Sequence, residues 1–177
     1  MYKLLFVFLL PVCLFSCTGN SGKDNSEKER LLGQIKESEK VMYDDTLSDV
    51  NVSVANNAIM LYSRYANEFP DDTTSAEYIF RAGELCKALK KGKMALNYYE
   101  KIENEYPSYG KMQLVIFMQG FVNETILGDF EKAKYHYERY IAKYPKSPMS
   151  TSLKTVIENL GKSDEELMKE FKNKENV

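Results

Sequence analysis

Tryptophan is absent from this chain and histidine occurs once, and the two scarcities remove several chemistries at the outset. His136 has no second histidine, cysteine pair or H-E-x-x-H spacing with which to complete a metal site. The 9 glycines stand apart from one another, so no glycine-rich loop exists to cradle a phosphate. With 24 Lys and Arg against 26 Asp and Glu, the net charge is -2, and the cations are scattered singly or in pairs among glutamates. That pattern lacks the basic stripe that phosphate contacts require, which excludes nucleic acid as a partner. No apolar run reaches the roughly 20 residues that a membrane-spanning helix needs. The sequence therefore implies no metal, no cofactor and no catalytic set.

What is present is self-similarity. Ala58 to Pro70, Ala95 to Pro107 and Ala133 to Pro145 are copies of one segment, in steps of 37 and then 38 residues. Each places a tyrosine four residues after its alanine (Tyr62, Tyr99, Tyr137) and closes on an aromatic-proline pair (Phe69-Pro70, Tyr106-Pro107, Tyr144-Pro145). A period in the thirties marks a helical hairpin that cannot bury its apolar face alone and must stack on its neighbours. Each proline lacks a donor N–H and disfavours helical geometry at the residue before it, so it punctuates the array.

Helices are expected over about 27–43, 50–69, 74–90, 93–105, 111–127, 130–143 and 149–160, with a short last helix after Ser163. Ser26 with Glu29, and Ser163 with Glu166, have capping-box spacing. The helix over 111–127 is apolar nearly all round, as in a helix covered by neighbours. Cys86 sits among Leu85, Ala88 and Leu89 and reads as core, His136 reads as a solvated surface residue, and Glu100, Glu103, Glu105, Glu165 and Glu166 read as solubilising charges.

Gly83, Ala95, Tyr99 and Pro107, and again Gly120, Gly128, Phe130, Ala133, Tyr137 and Pro145, fall at the spacing of the tetratricopeptide repeat, which this part of the chain resembles. The resemblance implies an all-α fold in which antiparallel hairpins of a helix A and a helix B stack into a short right-handed solenoid, with capping helices at both ends. Ala58, Tyr62 and Pro70 match only a helix B, so the first repeat is expected to be partial. The extra residue of the longer step is expected in the exposed turn of the following hairpin. In such repeats helix A lines the concave side, which makes Glu77, Phe80, Glu84 and Lys87, then Leu114, Phe117, Phe121 and Glu124, the candidate contacts for a partner. Spacings of three or four keep each set on one stripe.

Ahead of the repeats, Lys3 and the apolar run Leu4 to Phe15 have the form of an export signal. The ending Leu14-Phe15-Ser16-Cys17 resembles a bacterial lipobox, which implies that Cys17 is acylated and becomes the mature N-terminus. Cys13 would leave with the signal, and Cys86 would have no partner for a disulfide. Thr18 in place of an aspartate after that cysteine favours the outer membrane.

The expected organisation is signal and lipobox over 1–17, flexible tether over 18–25, helix and loop over 26–49, repeats over 50–148 and capping helices over 149–177. Lipobox and repeats together resemble the small outer-membrane lipoproteins of the BamD (YfiO) type, and equally the repeat domains of periplasmic cell-division coordinators. The expectation is a lipid-anchored, non-enzymatic scaffold facing the periplasm that docks other envelope proteins or peptide segments. The alternative is a peptidoglycan- or carbohydrate-associated binding module.

Overall fold

The computed structural model describes residues 21–42 and 51–175. The signal run, the lipobox with Cys17 and the loop expected over Asp44 to Asp49 lie outside them. Within them the chain is all helical: α1 (Ser21–Met42), α2 (Val52–Glu68), α3 (Ser75–Ala88), α4 (Gly92–Glu105), α5 (Met112–Val122) continued by a π turn (Asn123–Leu127), α6 (Phe130–Lys143), α7 (Pro148–Asn159) and α8 (Asp164–Glu175). Successive helices from α1 to α7 pack on one another in order, the connectivity of a tetratricopeptide-like solenoid.

The three prolines act as expected. Phe69, Tyr106 and Tyr144 end their helices at φ -128°, -130° and -129° with ψ near 59°, 55° and 55°, outside the helical region that a following proline disfavours. The turn beyond each repeats bond for bond: the N–H of Asp72, Tyr109 and Ser147 donates to the carbonyl of Phe69, Tyr106 and Tyr144 at 2.9 to 3.0 Å. Ser75, Met112 and Ser150 then donate back to Asp72, Tyr109 and Ser147, starting the next helix. The buried Ser75 and Ser150 add a hydroxyl bond at 2.6 Å to the carbonyls of Phe69 and Tyr144.

Two layers result. The A helices α1, α3 and α5 are bridged by Arg81 to Glu39 at 2.6 Å and Lys111 to Glu77 at 2.8 Å. The B helices α2, α4 and α6 are bridged by Lys101 to Asn67 at 2.8 Å and Arg139 to Glu103 at 2.7 Å. Between the layers the small residues of helix A receive the tyrosines of helix B. A Cβ added at Gly83 would stand 2.7 Å from the Tyr99 ring, and one at Gly120 would meet Tyr137 more closely. Ala58, Ala95 and Ala133 are buried on the facing helices.

Four expectations are corrected. The first repeat is complete, because α1 packs along α2 as its helix A, with buried Ser38 preceding Glu39 as Gly83 precedes Glu84. Helix α1 begins at Ser21, inside the segment read as a tether. Ser26 therefore lies within the helix and is no N-cap; the cap that sequence reading missed is Asn51, whose Oδ1 accepts from the N–H of Ser53 and Val54 at 3.0 and 3.2 Å. Ser163 and Glu166 do form their capping box, with the Ser163 N–H donating to Glu166 at 2.8 Å.

The extra residue of the 38-residue step is likewise not in an exposed turn. The N–H of Lys91 donates to the Cys86 carbonyl, whereas the N–H of Asp129 reaches one residue further back, to Asn123. The π turn takes up the difference by widening the last turn of helix A, and Gly128 at φ 65° then reverses the chain. Asn123, fully buried, holds that turn by donating from Nδ2 to the Gln119 carbonyl at 2.8 Å.

Candidate functional site

Each complete hairpin carries a tyrosine hydroxyl from helix B to a glutamate on helix A. Tyr62 donates to Glu39 at 2.7 Å, Tyr99 to Glu84 at 2.5 Å and Tyr137 to Glu124 at 2.5 Å. Burial and the bond to a carboxylate both push the phenols of Tyr99 and Tyr137 well above the ordinary tyrosine range. These latches point the carboxylates of three hairpins to the A-helix face, where the candidate contacts lie.

The structure brings those candidates together but treats the two sets differently. On α3, Phe80 is buried against Tyr99 and Tyr109. Glu77 accepts from Tyr109 at 2.6 Å, from Lys111 at 2.8 Å and from Arg81 at 3.3 Å. Partial burial pushes the Glu77 carboxyl up, but the bonds from Lys111, Tyr109 and Arg81 outweigh it and hold it below the usual carboxylate range. Glu84 carries Tyr99 on one oxygen and Lys87 on the other at 2.6 Å, and Lys87 also reaches the Met118 sulfur. Every polar candidate on α3 is thus engaged within the chain.

On α5 the stripe is more open. Leu114 is 36% exposed, while Phe117 and Phe121 are half-buried with their rings tilted at 6.0 Å, and Phe117 stacks on Tyr137 at 6.0 Å. Glu124 closes the stripe at the π turn and borders a cleft of about 810 Å³. Its far wall is Ser152, Thr155, Val156 and Asn159 of α7, with Phe130 and the start of α8 at its end. A second cleft, about 550 Å³, opens between α1 and α2 beside Val41, Val54 and Met60.

Sequence reading missed several of these residues. Glu39 could have been found from Ser38-Glu39 matching Gly83-Glu84, and the α7 wall from Pro145 to Ser150 matching Pro70 to Ser75. Glu103 is no solubilising charge: it accepts from Arg139 at 2.7 Å and from the buried Gln119 at 2.8 Å. Burial raises the Glu103 carboxyl, yet the bonds from Arg139 and Gln119 prevail and lower it. His136 is half-buried beside that pair, 3.3 Å from Arg139, and burial followed by the Arg139 charge lowers its pKa. Cys86 is buried, and burial pushes its thiol up, away from reactivity. Among the described residues no three His, Cys, Asp or Glu side chains are placed to hold a metal, and no helix is long and apolar enough to cross a membrane.

The sequence model of the tetratricopeptide repeat matches residues 115–147, the third hairpin from α5 through the Pro145 turn. With the helical architecture, this supports a tetratricopeptide-type protein, a class whose repeats generally serve as non-catalytic scaffolds for protein or peptide partners. Comparison with curated proteins and with solved structures gives no significant match.

Proposed function

We propose that this chain is an envelope lipoprotein, anchored in the bacterial outer membrane through Cys17, whose A-helix face docks a segment of another envelope protein in a non-enzymatic, scaffolding role in outer-membrane assembly. The observation that carries the docking half is the partly open stripe Leu114, Phe117, Phe121 and Glu124, whose last member borders the cleft walled by α7. The α3 candidates Glu77, Phe80, Glu84 and Lys87 shape and rigidify the neighbouring floor, since their polar groups are already paired. Apolar side chains fixed in position by stacking lose little entropy when a partner covers them.

Photocrosslinking residues placed at Leu114 and Phe117 of the full-length protein in cells should give discrete protein adducts. The same residues at Lys134 and Glu138, on the opposite face of α6, should give none. Adducts confined to α6 would refute the docking assignment, and retention of the protein on purified sacculi without protein adducts would establish the cell-wall alternative. Membrane attachment is tested apart: Cys17→Ser should abolish it, and unchanged fractionation would refute the anchor.

A further inference from the structure

The three tyrosine–glutamate latches differ in one respect. Glu39 carries a cation, Arg81, at 2.6 Å, and Glu84 carries Lys87 at 2.6 Å. Glu124 receives the Tyr137 hydroxyl on Oε2, and among the described residues no cation lies within ion-pair distance of it. Lys162, which borders the same cleft, is engaged with Asn159 at 3.4 Å. Among the described residues, the third latch thus presents to this cleft a carboxylate that is fixed in direction and lacks the counter-charge its two equivalents possess.

We propose that Glu124 is the anchor for a lysine or arginine of the docked partner, and that the segment recognised on this face carries a basic residue next to apolar ones. The proposal rests on the docking reading above. Spacing supports it, because Leu114, Phe117, Phe121 and Glu124 form one stripe with the carboxylate at its end. An apolar run along the stripe would place the following basic side chain in the cleft. Chemistry supports it as well. The Tyr137 bond holds the carboxylate in one orientation, so pairing costs little further rotamer entropy, and apolar Phe130 and Val156 lining the same cleft reduce the screening that weakens exposed ion pairs. The incoming cation would do for the third hairpin what Arg81 and Lys87 do for the first two.

The test uses the full-length protein with a photocrosslinking residue at Leu114, and reads both adduct yield and the sequence of the crosslinked peptide. The proposal expects a lysine or arginine within a few residues of the crosslinked site. Glu124→Gln should lower the yield about tenfold or more at low salt, as loss of a charge-assisted hydrogen bond does. Ser152→Lys, an exposed change that puts a cation across the cleft while leaving the latch intact, should do the same even if Glu124→Gln disturbs the fold. Reversing the partner's basic residue to glutamate together with Glu124→Lys should restore the yield. A crosslinked peptide without a basic residue, an adduct to cell-wall glycan or to a second copy of this chain, or full yield in Ser152→Lys would each overturn the anchor. The docking reading would survive full yield in Ser152→Lys, and would fall only if Leu114 gave no protein adduct at all.

Discussion

Close approach decides most at the scale of single residues. Tyr99 cannot swing away from Gly83, because its hydroxyl is held by Glu84 at 2.5 Å and its ring is fully buried. Gly83→Ala gains about 1 kcal/mol of helix propensity but forces a Cβ to 2.7 Å from that ring, and overpacking of this kind costs about 1 to 3 kcal/mol. The net expectation is a loss of stability, measurable as a lower urea midpoint. Gly33→Ala on α1, where nothing lies within 4 Å, should raise that midpoint and so isolates the packing effect.

His136 supplies a pH dependence of defined sign. Its folded pKa lies below the ordinary 6.5 because of burial and the nearby Arg139, with Glu103 opposing; Tyr135 packs edge-on against the ring. The folded state therefore binds fewer protons than the unfolded state in the window just below pH 6.5, and stability falls as pH drops through it. His136→Gln should flatten the dependence of the urea midpoint between pH 7.5 and pH 5.5, above the window in which the lowered carboxyls of Glu77 and Glu103 contribute. An unchanged slope in the variant would place the dependence elsewhere.

Among the elements, the reversal between helix A and helix B is solved twice with different residues. Gly128 takes φ 65° freely, whereas Lys90 takes φ 57° at the matching point between α3 and α4. A left-handed conformation costs a residue with a Cβ about 1 to 2 kcal/mol, partly offset by the greater chain entropy that glycine loses on folding. Lys90→Gly should accordingly stabilise the fold by up to about 1 kcal/mol, and Gly128→Ala should destabilise it by a similar amount. Thermal melts of the two variants moving in the same direction would contradict this account.

The molecule as a whole runs from three well-closed hairpins to a degenerate fourth. In register, Leu167 stands where Ala95 and Ala133 pack, and Glu158 where Gly83 and Gly120 admit a tyrosine ring. Without the small residues the two helices pack less closely: the described side chains of α8 are mostly exposed, and the cleft stays open beside it. Stability in a stacked array is a sum of unit and neighbour terms, so the ends open first. Native-state hydrogen exchange should show α8 losing protection well before α3 to α6; equal protection would mean that the fourth hairpin is as tightly closed as the others.

The sequence by itself determined the repeats, because prolines, small residues and tyrosines act locally and at fixed spacing: hairpins two and three, the aromatic-proline endings and the Ser163 cap were all legible. It also put Phe117, Phe121 and Glu124 on one stripe, since helical spacing alone fixes that. Only the tertiary structure decided which of those side chains remain available. Phe80 and Phe121 are the same residue type on matching helices, yet Tyr99 and Tyr109 bury the first while the second stays half-buried. The roles of Glu39, Glu103 and Gln119 depended on partners 16 to 42 residues away, and no periodic pattern marks them. The π turn escaped because it moves one residue between two elements without altering composition, and that shift sets Glu124 at the mouth of the cleft.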